Sequence, residues 1–249
     1  MKWYNGMKLI RHFLFFILLA GTTLVYSNSI IVGVSKSAPP FSAVDGSNHY
    51  FGFCIDLMNE ICKRLNIICE YKPITMKNQL DQLNAGSIDI TFPPSPIPQT
   101  ISQDYVYSLP FMTSDGQFLT MSSNIKTIAD LKNKKIGTLE ASHLEDTLAL
   151  YTSRDNIKTY PKISLMITAL LNNDVDAIVL NINIFKYLTI NKVINFQTVG
   201  KPIILGNGYG ILALPKNTAL INSINKVLLQ MENDGAYENI YNKYFGSNL

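Results

Sequence analysis

Two stretches of this chain repeat one pattern, and the pattern sets the fold. LNAGSIDITFPP, residues 83–94, and LLNNDVDAIVLN, residues 170–181, each read as a helix end, a tight turn, an aspartate and a buried strand. Leu83 stands six residues before Asp89, as Leu170 stands six before Asp176. Around these copies, strand and helix patterns alternate. SIIVGVSK, IICEYKP, KKIGTL, DAIVLN and INFQTVG carry strand patterns; CIDLMNEICKRL, NQLDQLNAG, SHLEDTLALYT and SLMITALLNN carry helical spacing. In CIDLMNEICKRL, residues Ile55, Met58, Ile61, Cys62 and Leu65 fall on one face. Repeated β-α-β units define an α/β protein with mainly parallel, doubly wound sheets. If the echo is structural, the chain holds two similar lobes. The alternative is coincidence between two ordinary βαβ units.

The echo also points to a cleft. Pro93, Pro94, Pro96 and Pro98 follow IDITF directly. Ligands of open α/β sheets bind beyond the carboxyl ends of strands. Pro93–Pro98 and Leu180–Asn183 both lie at such ends, so they are candidate cleft walls; the bland alternative for the first is a stiff loop. Two segments are candidate crossings between lobes: GQFLTMS, residues 116–122, and GNGYGILALPK, residues 206–216. Gly206, Gly208 and Gly210 give the second a permissive backbone. A strand, not a helix, follows these glycines, so they do not form a dinucleotide-binding loop. From Thr218 to Phe245 the chain reads as two helices parted by Gly235. Their apolar faces carry Leu220, Ile224, Val227, Leu228 and Met231, then Tyr237, Ile240, Tyr241 and Tyr244.

The first 27 residues follow different rules. Lys2, Lys8 and Arg11 precede the apolar run HFLFFILLAGTTLV, and Val25-Tyr26-Ser27 suits a cleavage site. A secretory signal peptide cleaved after Ser27 is expected. The alternative, a membrane anchor, needs ~20 apolar residues, and the run is short for that. No cysteine follows the cleavage site to carry a lipid. Removing the leader leaves 21 − 3 = 18 basic against 18 acidic residues. The basicity therefore belongs to the leader, and nothing suggests nucleic acid as a partner. No later stretch reaches transmembrane length.

Export places Cys54, Cys62 and Cys69 in an oxidising compartment. A helix turning back into a strand brings Cys62 and Cys69 within bridging reach. Three buried thiols are the alternative. Two histidines remain after the leader, His49 and His143, and no Cys/His/carboxylate spacing suits a metal. Phosphate loops and G-x-S-x-G elbows are absent. No cofactor is expected, and ligand capture is favoured over turnover.

Several segments carry a family likeness together: APPF ending at Phe41, GFCIDLMNEICKRL, the L-x-x-G-x-I-D turn, YSLPF, Gly137-Thr138, DVDAIVLN, GYGILALPK and DGAYENIYNKYFG. In this order the mature chain resembles the periplasmic solute-binding proteins of polar amino-acid ABC transporters, family three, and the lysine/arginine/ornithine-binding branch in particular. The resemblance implies two lobes joined by two strands that close on a small-molecule ligand, with an inner-membrane ABC permease as partner. It also implies a periplasmic location, a monomer and a Cys62–Cys69 disulfide. The first lobe would be discontinuous, residues 28–115 plus 212–249, and the second would span 116–211 with hinge segments at its ends.

The departures concern the ligand. The resemblance implies a Ser/Thr-rich loop, then a short helix presenting an arginine to the amino-acid carboxylate. A gapless match puts Ile101 at the arginine position and Pro93, Pro94 and Pro96 at the hydroxyl positions, with Ser95 among them. Asn181 replaces the aspartate that meets the ammonium. Ala38 and Met76 take the places of aromatic wall residues. A carboxylate buried without its partner costs roughly 2–5 kcal/mol, about 30- to several thousand-fold in affinity. An amino acid in the ordinary pose should bind poorly. Ser142-His143-Leu144-Glu145 reads as a capping box whose free amides face the cleft, with His143 as a further donor. The expected ligand-binding set is therefore Ala38, Phe41, Met76, Pro94, Ser95, Pro96, Ile101, Ser142, His143 and Asn181. Plain alternatives exist: a helix cap for Ser142, a surface site for His143, a turn for Asn181 and core packing for Met76. Beside solute capture stand two other readings: a cyclohexadienyl-type dehydratase on this scaffold, and a degenerate ligand-sensing binder.

Overall fold

A computed structural model describes residues 29–75, 77–140 and 142–246. The leader and Met76 lie outside the described residues. Two five-stranded sheets carry the fold. The first contains β1 (Ser29–Ser35), β5 (Ile68–Ile74), β6 (Ile90–Thr91), β7 (Val106–Tyr107) and β13 (Leu212–Ala213), in the order β5-β1-β6-β13-β7. The second contains β8 (Asp115–Thr120), β9 (Ile136–Leu139), β10 (Ile157–Tyr160), β11 (Ala177–Asn181) and β12 (Gln197–Ile204), in the order β10-β9-β11-β8-β12. In each sheet the fourth strand alone runs against the other four, because β13 is antiparallel to β6 and β7 and β8 is antiparallel to β11 and β12. A small sheet of β2 (Ser37–Ala38), β3 (Ser42–Val44) and β4 (Tyr50–Phe51) flanks the first.

The sequence echo is an echo of bonds. Asp89 accepts the Ile31 N–H at 2.8 Å and returns its own N–H to the Ile31 carbonyl at 2.8 Å. Asp176 accepts the Lys135 N–H at 2.8 Å and returns its N–H to the Lys135 carbonyl at 2.9 Å. Each aspartate thus fixes the register of the third strand of its sheet against the second. The two lobes are one design used twice.

Helix α1 (Phe53–Leu65) buries Phe53, Ile55, Leu57, Met58 and Ile61, and ends at Asn66 in the left-handed conformation. That reversal lets Cys62 meet Cys69 at a Cα separation of 6.1 Å, and the two form a disulfide. Closing so short a loop contributes about 2–3 kcal/mol. Cys54 stays free and buried. Helix α2 (Gln79–Asn84) follows β5, and α4 (Ile163–Leu171) follows β10. The last helices, α6 (Thr218–Asn233) and α7 (Ala236–Phe245), return to the first lobe. There Phe53 makes edge contacts with Tyr237, Tyr241, Tyr244 and Phe245, and Asp56 accepts from Lys243 at 2.6 Å and Tyr244 at 2.7 Å. Ile221, not Leu220, is the buried residue of the first turn of α6.

Three local expectations change. SHLEDTLALYT yields only the single turn α3 (Glu145–Leu148). Residues 182–190, not expected as a helix, form α5 (Ile182–Ile190), capped by the Asn181 side chain. Gly116–Thr120 is not a crossing but the body of β8, buried between β11 and β12. The first crossing comes just before it, at residues 108–114. It pairs with the second, residues 205–211, through Ser108 N–H to Ile211 O at 2.8 Å, Phe111 N–H to Tyr209 O at 2.9 Å and Tyr209 N–H to Met112 O at 2.8 Å.

At Gly208 the pairing requires glycine. Its φ is +88°, and an added Cβ would come within 2.6 Å of Pro110 Cβ and 2.9 Å of the Met112 carbonyl oxygen. Gly208→Ala should cost about 1–3 kcal/mol in urea unfolding. Gly46→Ala, where an added Cβ meets nothing within 4 Å, should stay within about 0.5 kcal/mol of wild type. Equal effects from the two changes would refute a strained crossing.

Candidate functional site

A cavity of about 120 Å³ lies between the sheets, walled by both lobes. The first lobe contributes Ala38, Phe41, Phe92, Pro93, Pro94 and Phe111; the second contributes Leu139, Leu144, Ile163, Leu180 and Ile184. These side chains make the wall largely apolar. Polar atoms come from a short set: Gln79, Thr138, Ser142, Asn181 and Tyr209 among them.

No Asp, Glu, Lys, Arg or His lines this cavity among the described residues. Two titratable groups do, and burial keeps both neutral. Desolvation pushes the Tyr209 hydroxyl up to about 12, with a hydrogen bond from Asn181 pulling weakly the other way. Burial raises the Cys54 thiol as well.

The polar set divides into spent and unspent groups. Asn181 Nδ2 donates to the Thr113 carbonyl at 3.1 Å, and Asn181 Oδ1 accepts the Asn183 N–H at 2.8 Å. Asn181 thus ties the end of β11 to the first crossing and caps α5. Ser142 Oγ donates to the Leu139 carbonyl at 2.6 Å, so the 3.4 Å contact between the Thr138 and Ser142 hydroxyls has Thr138 as donor. Gln79 is different. It is 6% exposed, lines the cavity, and its side-chain amide has no hydrogen-bond partner among the described residues. Its amide atoms are not among the fully enclosed ones, so its donors and acceptor open onto the cavity.

Of the residues expected to hold ligand, Ala38, Phe41, Pro94, Ser142 and Asn181 line the cavity. Ser95, Pro96, Ile101 and His143 lie off its wall. Pro96 is buried against the second crossing, where the Gly206 Cα leaves no room for a Cβ: it would stand 2.6 Å from Pro96 Cβ. The loop is also bonded there, through Ile97 N–H to Gly208 O at 2.8 Å and Asn207 N–H to Ile97 O at 3.1 Å. Residues 92–105 form no helix; the prolines withhold donors as far as Pro98, and Ile101 is 47% exposed. The capping box at Ser142 does not form. His143 is exposed with φ +54°, which breaks the helical path between Ser142 and Glu145. The box in this lobe is Thr127 with Asp130. Gln79 was missed, although its spacing of four from buried Leu83 marks it as core-facing.

Outside this chamber lies a wider vestibule that shares Ser35, Ile74 and Thr75 with it. Its rim carries Lys36, Lys77, Glu140 and Lys162. Lys77 Nζ and Glu140 Oε2 pair at 2.9 Å and bridge the lobes across the mouth. On another flank Tyr241 donates to Asn183 Oδ1 at 2.6 Å, again lobe to lobe. Among the described residues no group of His, Cys, Asp or Glu is placed to hold a metal, and no helix is long and apolar enough to cross a membrane.

Two α/β lobes on paired crossings with a chamber between them define a type II periplasmic-binding-protein fold. The chain belongs to the family of bacterial extracellular solute-binding proteins, family 3, which its residues 30–247 match. It is 26% identical over 228 residues to the ABC transporter arginine-binding protein 1 of Escherichia coli (strain K12), covering 88% of this chain and 91% of that relative. The lysine/arginine/ornithine-binding periplasmic protein of the same strain is 24% identical over 237 residues, covering 89% of each. An arginine transport periplasmic binding protein from Legionella pneumophila superimposes with a TM-score of 0.79 at 32% identity, over 88% of this chain and all (100%) of that one. An ancestral amino-acid-binding protein described as a precursor of cyclohexadienyl dehydratase shares the fold, with a TM-score of 0.73 at 23% identity, over 88% of this chain and 96% of that one.

Asn181→Asp tests whether Asn181 is structural. The new carboxylate would face the Thr113 carbonyl where an N–H stood. A loss of about 1–3 kcal/mol in urea unfolding is expected without any ligand present. Unchanged stability would free Asn181 for a ligand role.

Proposed function

We propose that this protein is the periplasmic capture subunit of an ABC importer, holding a small amino-acid-related solute between its lobes. The observation that carries the reading is the chamber itself: both lobes wall it, and the two paired crossings give the lobes a common axis on which to close. The curated relatives act as binding proteins, which supports the same role. The permease would read the closed pair of lobes, and a monomer suffices because one chain supplies the whole chamber. An exported chain suits the Cys62–Cys69 disulfide.

The dehydratase reading needs an acid in the cleft. Among the described residues Tyr209 and Cys54 are the titratable groups there, and burial makes each a weaker acid than usual, with no carboxylic acid beside them. Binding without turnover fits this wall better. Incubation with prephenate or arogenate should leave their absorbance unchanged.

The direct test is thermal unfolding of the chain from Asn28 onward against amino acids, amines, carboxylates, short peptides and sugars. A ligand at 100 times its dissociation constant adds about 2.7 kcal/mol and should raise the midpoint by several degrees. Small-angle scattering with that ligand should show a decreased or unchanged radius of gyration. No shift across the panel would refute solute capture.

A further inference from the structure

The chamber and its vestibule together describe a ligand more narrowly than the family does. Three observations bear on it. Among the described residues the chamber has no anionic side chain to receive an ammonium group. The Gln79 side chain belongs to a residue more than nine-tenths buried, and its amide has no hydrogen-bond partner among the described residues. The vestibule next to that end carries three lysines and one glutamate, and the glutamate is already paired with Lys77. Lys36 and Lys162 have no ion-pair partner among the described residues.

These features separate an organic acid from an amino acid. A zwitterion would place an ammonium group in the apolar chamber with no countercharge, or compete with Lys77 for Glu140. Buried unpaired charge is strongly disfavoured. A carboxylate lacking the ammonium group meets N–H donors and an excess of positive charge. Resting on the capture function above, we propose that the ligand is an apolar monocarboxylate. Its hydrocarbon body packs against Phe41, Phe92 and Phe111, and its carboxylate takes the Gln79 amide N–H groups at the end that opens toward Lys36, Lys77 and Lys162.

Calorimetry on the whole mature chain would test this with two matched series. One holds 3-phenylpropanoate, L-phenylalanine, 3-phenylpropanamide and 3-phenylpropan-1-ol. The other holds 4-methylpentanoate, L-leucine and the matching amide and alcohol, in case the phenyl ring is too large. In at least one series the carboxylate should bind tightest, with the amino acid at least tenfold weaker. Gln79→Leu should weaken the carboxylate roughly tenfold or more. Lys36→Gln with Lys162→Gln should weaken it about three- to tenfold and leave the alcohol unchanged. Tightest binding by either amino acid would overturn the ligand class while leaving solute capture standing. Equal binding of carboxylate, amide and alcohol, unmoved by the lysine changes, would overturn the role of charge. Binding of neither series, with an unrelated solute raising the unfolding midpoint, would overturn the class alone. A flat response to every compound would overturn capture as well.

Discussion

The structure depends on one short ribbon, the antiparallel pairing of residues 108–114 with 205–211. Three backbone bonds join the crossings, and the Ser114 hydroxyl adds two more, donating to Gly206 O at 2.7 Å and accepting from Gly208 N–H at 3.0 Å. Side chains are excluded where the ribbon meets Pro96 and Pro110, so glycine carries the chain past them. The proline loop is bonded to the same ribbon through Ile97. The loop has one side on the cavity, at Pro93 and Pro94, and the other on the hinge, at Pro96 and Ile97. The prolines stiffen that connection, because each fixes φ and gives up an N–H the loop has no need to satisfy. Ligand wall and hinge are therefore one rigid unit.

By contrast, the contacts that bridge the lobes away from the hinge mix polar groups with apolar ones: Tyr187 packs against the first-lobe core, Phe41 against the second-lobe core, and Lys186 lies over the Tyr241 ring. Lys77 is 74% exposed in its pair with Glu140, and exposed pairs contribute roughly 0–1 kcal/mol. The Tyr241–Asn183 bond adds a second bridge of modest net strength, and Asn183 Nδ2 is left buried without a partner beside it. What fills the chamber adds to these bridges, since covering Phe41, Phe92 and Phe111 on one side and Leu139, Leu180 and Ile184 on the other removes apolar surface from both lobes at once. Closure driven by apolar burial is less directional than closure on an arginine clamp.

Much of the fold was legible in the sequence because it rests on backbone periodicity and on aspartates at fixed spacing. Asp89 and Asp176 mark the same register bond in each lobe, and the spacing of six from Leu83 and Leu170 announces both. Elements that depend on long-range context were read less well. The run QFLT looked like a connector because its neighbours in the sheet, β11 and β12, come from later in the chain. INIFKYLTI was passed over because β-branched and aromatic residues hide its helical spacing; its start is fixed by the Asn181 cap. In the site, the residues that face the cavity by virtue of strand ends were nameable in advance, while Ile101 was assigned by alignment to a helix that does not form.

The neutrality of the chamber is the work of several residues and not of one. Here the prolines of the loop withhold donors, residues 92–105 form no helix, and across the cleft stands an asparagine whose amide is committed to Thr113 and Asn183. An aspartate at 181 would set a carboxylate against the Thr113 carbonyl, so the crossing itself now favours the neutral residue. Among the described residues no charged side chain lines the chamber, while Lys36, Lys77 and Lys162 line the vestibule outside it. Charge at the entrance acts over several ångströms and concentrates anions there, whereas charge in the chamber would have to be matched atom by atom. The same two-lobed frame can then select by shape and apolar fit inside and by sign of charge at the door.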